Sequence, residues 1–95
     1  MFSNIFTYKL LINGKVQGVG FRYWFNNNAN SLNLTGYVKN LLNFNQVEAI
    51  IQGDIKSIKK MIEICKKGNS SSKIINIKID VIKNNIIYEK FNIVK

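Results

Sequence analysis

The stretch Gly14 to Arg22, reading Gly-Lys-Val-Gln-Gly-Val-Gly-Phe-Arg, places three glycines within seven positions. It lies between a strand-like run and an amphipathic one, so any fold must turn sharply here. Closely spaced glycines allow the backbone to turn its N–H groups inward and form a cradle for an anion. A helix starting near Phe21 would direct the positive end of its dipole, with its unpaired first-turn N–H groups, at the same spot. Arg22 adds a formal charge there. It is an arginine in a chain whose other cations are all lysines, and its planar fork can hold two phosphate oxygens at once, which an ammonium cannot do. From the residues alone, a phosphate-binding arginine and a solvated one at a helix start both remain open.

The flanking pattern sets the architecture. Thr7 to Asn13 alternates as a first strand, with Tyr8, Leu10 and Ile12 on one face. Phe21, Phe25, Ala29 and Leu32 form one helical stripe, and Asn33 suits a left-handed terminator. The asparagines at 26, 27, 28 and 30 are poor helix formers, so this helix must be held by packing. Thr35 to Leu41 and Val47 to Gln52 read as a second and third strand joined by a short hairpin, with Val47, Ala49 and Ile51 sharing a face. Asp54 is a good N-cap for a second helix whose stripe is Ile55, Ile58, Met61 or Ile62, and Cys65; Gly68 marks its exit. Ile75, Ile77, Ile79 and Val81 alternate with polar residues as a fourth, half-buried strand, and Tyr88 to Val94 offers a fifth with Phe91 and Ile93 inward. The order strand, helix, strand, strand, helix, strand, plus a final strand predicts an α+β, ferredoxin-like split βαβ plan: two helices on one face of a mainly antiparallel five-stranded sheet.

Ninety-five residues have room for one core, so a single domain over residues 1–95 is expected. With no histidine and one cysteine, the chain lacks the usual nitrogen and sulfur metal cluster, an internal disulfide, and histidine-based acid–base or triad chemistry. No metal or other cofactor is expected. Cys65 falls on a buried stripe and reads as a core thiol. The apolar residues near the start are interrupted by Asn4, Thr7 and Lys9, so no signal sequence or membrane span is expected, and a cytoplasmic protein follows. The net charge of +9 would attract anions in general. It does not specify nucleic acid.

The segment Val16-Gln17-Gly18-Val19-Gly20-Phe21-Arg22 resembles the signature loop of the acylphosphatases, and Gly36-Tyr37-Val38-Lys39-Asn40 resembles their second signature. The similarity continues through Val47-Glu48-Ala49, Gln52-Gly53 and Phe91-Asn92-Ile93 at compatible spacing. The resemblance implies hydrolysis of the carboxyl–phosphate bond of small acyl phosphates to a carboxylate and inorganic phosphate, without a metal or covalent intermediate. It implies that Arg22 and the backbone N–H groups of Gln17, Gly18, Val19, Gly20, Phe21 and Arg22 hold the phosphate, and that Asn40 places the attacking water. A monomer is expected. The sequence departs from the family pattern in a hairpin after Asn40 that is one residue longer, with Phe44 near the usual glycine. It departs again in serines after Gly68 where prolines and an alanine are common, and in the terminal Lys95.

The chemistry agrees with what the chain contains. An acyl phosphate leaves as a carboxylate whose conjugate acid has a pKa near ~4, so no proton donor is needed at neutral pH. An alkoxide leaving group would want a general acid or a metal. Glu48 and Asp54 are assigned to a strand face and a helix cap, and Lys39 to solvent. The competing readings are a basic ferredoxin-like RNA-binding module, against which the RNA-recognition consensus is absent, and a non-catalytic regulatory domain of the same fold. No nucleic-acid partner is expected.

Overall fold

The computed structural model describes residues 4–83 and 86–95. Strand β1 (Phe6–Lys15) leads through the glycine turn into helix α1 (Phe21–Ser31), and β2 (Thr35–Asn40) and β3 (Gln46–Gly53) form a hairpin. Helix α2 (Ile55–Lys67) follows, then β4 (Lys73–Val81) and β5 (Phe91–Val94). The sheet order is β4-β1-β3-β2-β5, with every pairing antiparallel except β2 with β5. This is the split βαβ plan the pattern predicted, with a parallel fifth strand added at the β2 edge. Residues β1 and β2 are separated by β3, which brings the two ends of the α1 crossover to either side of a central strand.

Both helices cover one face. Helix α1 packs on β2 and β5, and α2 on β3, β4 and β1. Between them and the sheet lie Leu10, Ile12, Val38, Val47, Ala49 and Ile51, met by Phe21, Phe25 and Ala29 from α1 and by Ile58, Met61 and Cys65 from α2. Four asparagines in α1 cost roughly 2 kcal/mol of propensity relative to alanine. Burying Phe21 and Phe25 returns about 1.5–3 kcal/mol each, so packing wins. Asn33 has the left-handed φ of 58° expected of a terminator. Cys65 is a core thiol whose pKa burial pushes up to about 12, so it stays protonated at neutral pH.

The fourth and fifth strands differ from the expectation. Along β4, Ile77 lies opposite Ile12 and Asn76 opposite Asn13, but it is Ile74 that lies opposite Gly14. Ile75 is therefore the extra residue of a bulge and is 72% exposed, while Ile74 takes the inward place beside Ile77. Strand β4 is also an edge, which leaves Ile79 and Val81 largely in solvent despite their correct face. At the other edge, β5 begins only at Phe91. Just before it, Tyr88 gives its N–H to Gln52 Oε1 at 2.8 Å, and Gln52 Nε2 reaches Thr7 Oγ1 and the Ile86 carbonyl. Those residues are tied to a side chain rather than to a sheet ladder.

On the sheet face away from the helices, Glu48 accepts a hydrogen bond from Tyr37 Oη at 2.9 Å and pairs with Lys9 at 3.4 Å and Lys39 at 3.6 Å. Glu48 is thus a strand-face residue as expected, and Lys39 is half-solvated with a specific partner. Burial raises the Tyr37 pKa, with the Glu48 hydrogen bond acting in the same direction. Burial alone would raise the Glu48 pKa as well, but the Tyr37 hydrogen bond and the two lysines outweigh it, and the net shift is downward.

Candidate active site

Gly18 and Gly20 have φ of 74° and 73°, a region L side chains rarely adopt, so the turn between β1 and α1 depends on their lacking a Cβ. Gly20 is the N-cap of α1. No side chain bonds there, and the first turn contains no acidic residue. Among the described residues, no hydrogen bond uses the backbone N–H of Gly18, Val19 or Gly20. The first-turn N–H groups of α1 have no partner within the helix by construction. A row of donors and the positive end of a helix dipole therefore face outward together.

Beside this turn lies a pocket of about 140 Å³ lined by Val16, Gly18, Gly20, Phe21, Arg22, Tyr23 and Asn40. No carboxylate is on that lining. Arg22 at the second position of α1 and Asn40 at the end of β2 are eighteen residues apart in sequence and meet here because α1 returns the chain to β2. Arg22 Nη1 donates to the Val94 carbonyl at 3.1 Å, anchoring the guanidinium to β5 and leaving the rest of its fork without a protein partner among the described residues. The Asn40 Oδ1 is buried and makes no hydrogen bond with the described residues. A buried acceptor left without a partner costs about 1–3 kcal/mol; Asn26 Oδ1 and Asn69 Oδ1 share that state, but of the three only Asn40 is on the pocket lining.

Gln17 and Val19 are not on that lining, and their side chains are engaged elsewhere. Gln17 turns its side chain away, and its Nε2 converges on the carbonyls of Leu41, Asn43 and Gln46 at 2.9, 3.0 and 2.9 Å. This ties the loop to the β2–β3 hairpin and so to the strand carrying Asn40. Val19 packs its side chain toward the core and presents its carbonyl to Asn69 Nδ2 at 2.9 Å. The sequence reading missed the Gln17 tie, the Asn69 contact and the Val94 anchor. Gln17 had a signal in its place within a glycine turn; Asn69 is one asparagine among many.

The acylphosphatase family model matches residues 8–93. An acylphosphatase of Bacillus licheniformis is 36% identical over 86 residues, covering 90% of this chain and 94% of the relative. One from Clostridium perfringens is 44% identical over 69 residues, covering 73% and 76%. This chain belongs to the acylphosphatase family. The crystal structure of the acylphosphatase from Bacillus subtilis superposes with a TM-score of 0.89 at 31% identity, over 95% of this chain and 99% of that one. The activity is accordingly that of an acylphosphatase, the hydrolysis of acyl phosphates. The departures from the acylphosphatase pattern now have positions. The longer hairpin exposes Leu42 and Phe44 at its tip, whereas the serine loop after Gly68 lies against the glycine turn through Asn69.

Proposed function

We propose that hydrolysis proceeds by direct attack of water on a phosphate held by the N–H groups of Gln17 to Arg22 and by the Arg22 guanidinium, with Asn40 aiming the water. The observation that carries this reading is the convergence in one pocket of an uncapped helix start, a guanidinium and a buried amide oxygen without a partner. The first two suit negative charge on the phosphoryl oxygens. The Asn40 carbonyl can accept a hydrogen bond from the incoming water and so orient it toward phosphorus. Of the six residues whose amides are invoked, Gly18, Gly20, Phe21 and Arg22 are on the pocket wall, and the side chain of Gln17 in addition ties the turn to the hairpin.

No acid is needed on the leaving side, because the carboxylate departs unprotonated at neutral pH. Water attacks phosphorus, the bond to the acyl oxygen breaks with its electron pair leaving on the carboxylate, and both protons of the water stay with the phosphate product, which departs as dihydrogen phosphate. The reaction is proposed to need no metal, and the protein to act as a one-domain monomer in the cytoplasm; a lone buried thiol suits a reducing compartment. Release of phosphate from benzoyl phosphate should persist at an unchanged rate after exhaustive chelation. A rate restored only by added divalent ion would overturn the metal-independent reading.

A further inference from the structure

We propose that Asn69 is a positioning residue of the phosphate cradle, its side-chain amide holding the Val19 carbonyl so that the next N–H, that of Gly20, is aimed into the pocket. The proposal rests on the cradle reading given above. Its first support is the bond itself: Asn69 Nδ2 donates to Val19 O at 2.9 Å across fifty residues of sequence, from the α2–β4 loop to the glycine turn. A trans peptide is planar, with C=O and N–H pointing in opposite directions. Fixing the Val19 carbonyl on one side therefore fixes the Gly20 N–H on the other.

That peptide needs an external hold. It is followed by a glycine, which tolerates either sign of φ, and nothing lies closer to the place of a Gly20 Cβ than Asn69 Nδ2 itself, at 4.0 Å. Among the described residues, no other hydrogen bond is made by the Val19 carbonyl or the Gly20 N–H. Asn69 in turn is held from behind. Its N–H donates to Ser72 Oγ at 2.9 Å, and its carbonyl accepts from Ser72 N and Ser72 Oγ, both at 3.1 Å. The serine-rich loop thus fixes itself through a hydroxyl, and the cradle through the adjoining amide. The Asn69 Oδ1 is buried and has no hydrogen-bond partner among the described residues. An amide kept only for solubility would turn that oxygen to water; here the donor end has been favoured.

The test uses the full chain, with inorganic phosphate as competitive inhibitor and as titrant of 15N-labelled protein. Asn69→Ala, and the nearly isosteric Asn69→Asp, which replaces the donor by an acceptor, should each weaken phosphate inhibition and lower kcat/KM by roughly 10-fold, the scale of one hydrogen bond. The melting temperature should change little, and the phosphate-induced shift of the Gly20 amide should shrink more than that of Gly18. Ser72→Ala should act in the same direction but less, and serves as the readout if a substitution at 69 fails to fold. Wild-type phosphate affinity and a wild-type Gly20 response in the folded variants would overturn the proposal. If phosphate moves none of the amides from 18 to 22 in the unsubstituted protein, the cradle itself fails, and the role of Asn69 fails with it.

Discussion

The two helices begin in opposite ways. At the start of α2, Asp54 takes the Ser57 N–H on its carboxylate at 2.8 Å, and Lys66 and Lys67 lie in the last turn, so both ends of the dipole are answered. At the start of α1 there is a left-handed glycine, no side-chain cap, no acid in the first turn and a guanidinium at the second position; its last turn has no cation. Both helices bury a comparable stripe, so the contrast is not one of packing. Helix α2 is finished as a structural element. Helix α1 has no such cap, and its start and its guanidinium, bonded only to the Val94 carbonyl among the described residues, lie on the pocket with Asn40. Local stability is forgone at the end of α1 where we propose that an anion binds.

The largest effect should come from Arg22. Replacement by Ala, or by Lys, which keeps the charge but loses the fork, should lower turnover of benzoyl phosphate by at least ~10²-fold with little change in melting temperature. Asn40→Ala should lower kcat comparably while leaving inhibition by inorganic phosphate nearly intact, since water is its target. The reverse pattern, phosphate binding lost in Asn40→Ala and kept in Arg22→Ala, would show the roles exchanged. At the other helix the dissociation should invert: Asp54→Ala should lower the midpoint of chemical denaturation and leave kcat/KM unchanged.

Adding an acid to α1 sharpens the contrast further. Tyr23, exposed and on the pocket wall at the third helical position, can be replaced by Glu. The helix should gain a few tenths of a kcal/mol from its dipole, while phosphate inhibition weakens. A variant that gained stability and kept its phosphate affinity would argue that the α1 dipole has no part in binding. The smallest effect is in pH. Asp54, through the Ser57 N–H, and Glu48, through Tyr37 and its lysines, have carboxyl pKa values held below their ordinary ones in the folded state. Each therefore contributes stability that is present above the ordinary carboxylate range and lost as pH falls through the depressed folded value. Denaturation midpoints should fall at acid pH in the wild type, and fall less in Asp54→Ala and in Glu48→Gln.

How much was legible follows the range of the interactions involved. The order of elements, the cap at Asp54, the terminator at Asn33, the glycine turn before α1 and the helix exit at Gly68 were readable because propensity and turn chemistry act within a few residues. In β4 the same alternation misled. A one-residue bulge opposite Gly14 exchanges Ile75 for Ile74, and period-2 patterns carry no mark of such a slip. Tyr88 reads as strand, but its N–H goes to the Gln52 side chain, and the backbone bonding to β2 begins only at the Lys90 carbonyl, which accepts from Gly36 N.

By itself the sequence determined that a glycine turn, a lone arginine and a strand-end asparagine occur on a ferredoxin-like plan. Tertiary structure alone decided what braces them: Val94 against Arg22, the hairpin carbonyls against Gln17, Asn69 against Val19. Those contacts join residues 24 to 72 positions apart. Their existence depends on how the sheet brings distant loops to one end, and no local preference of the residues involved encodes that.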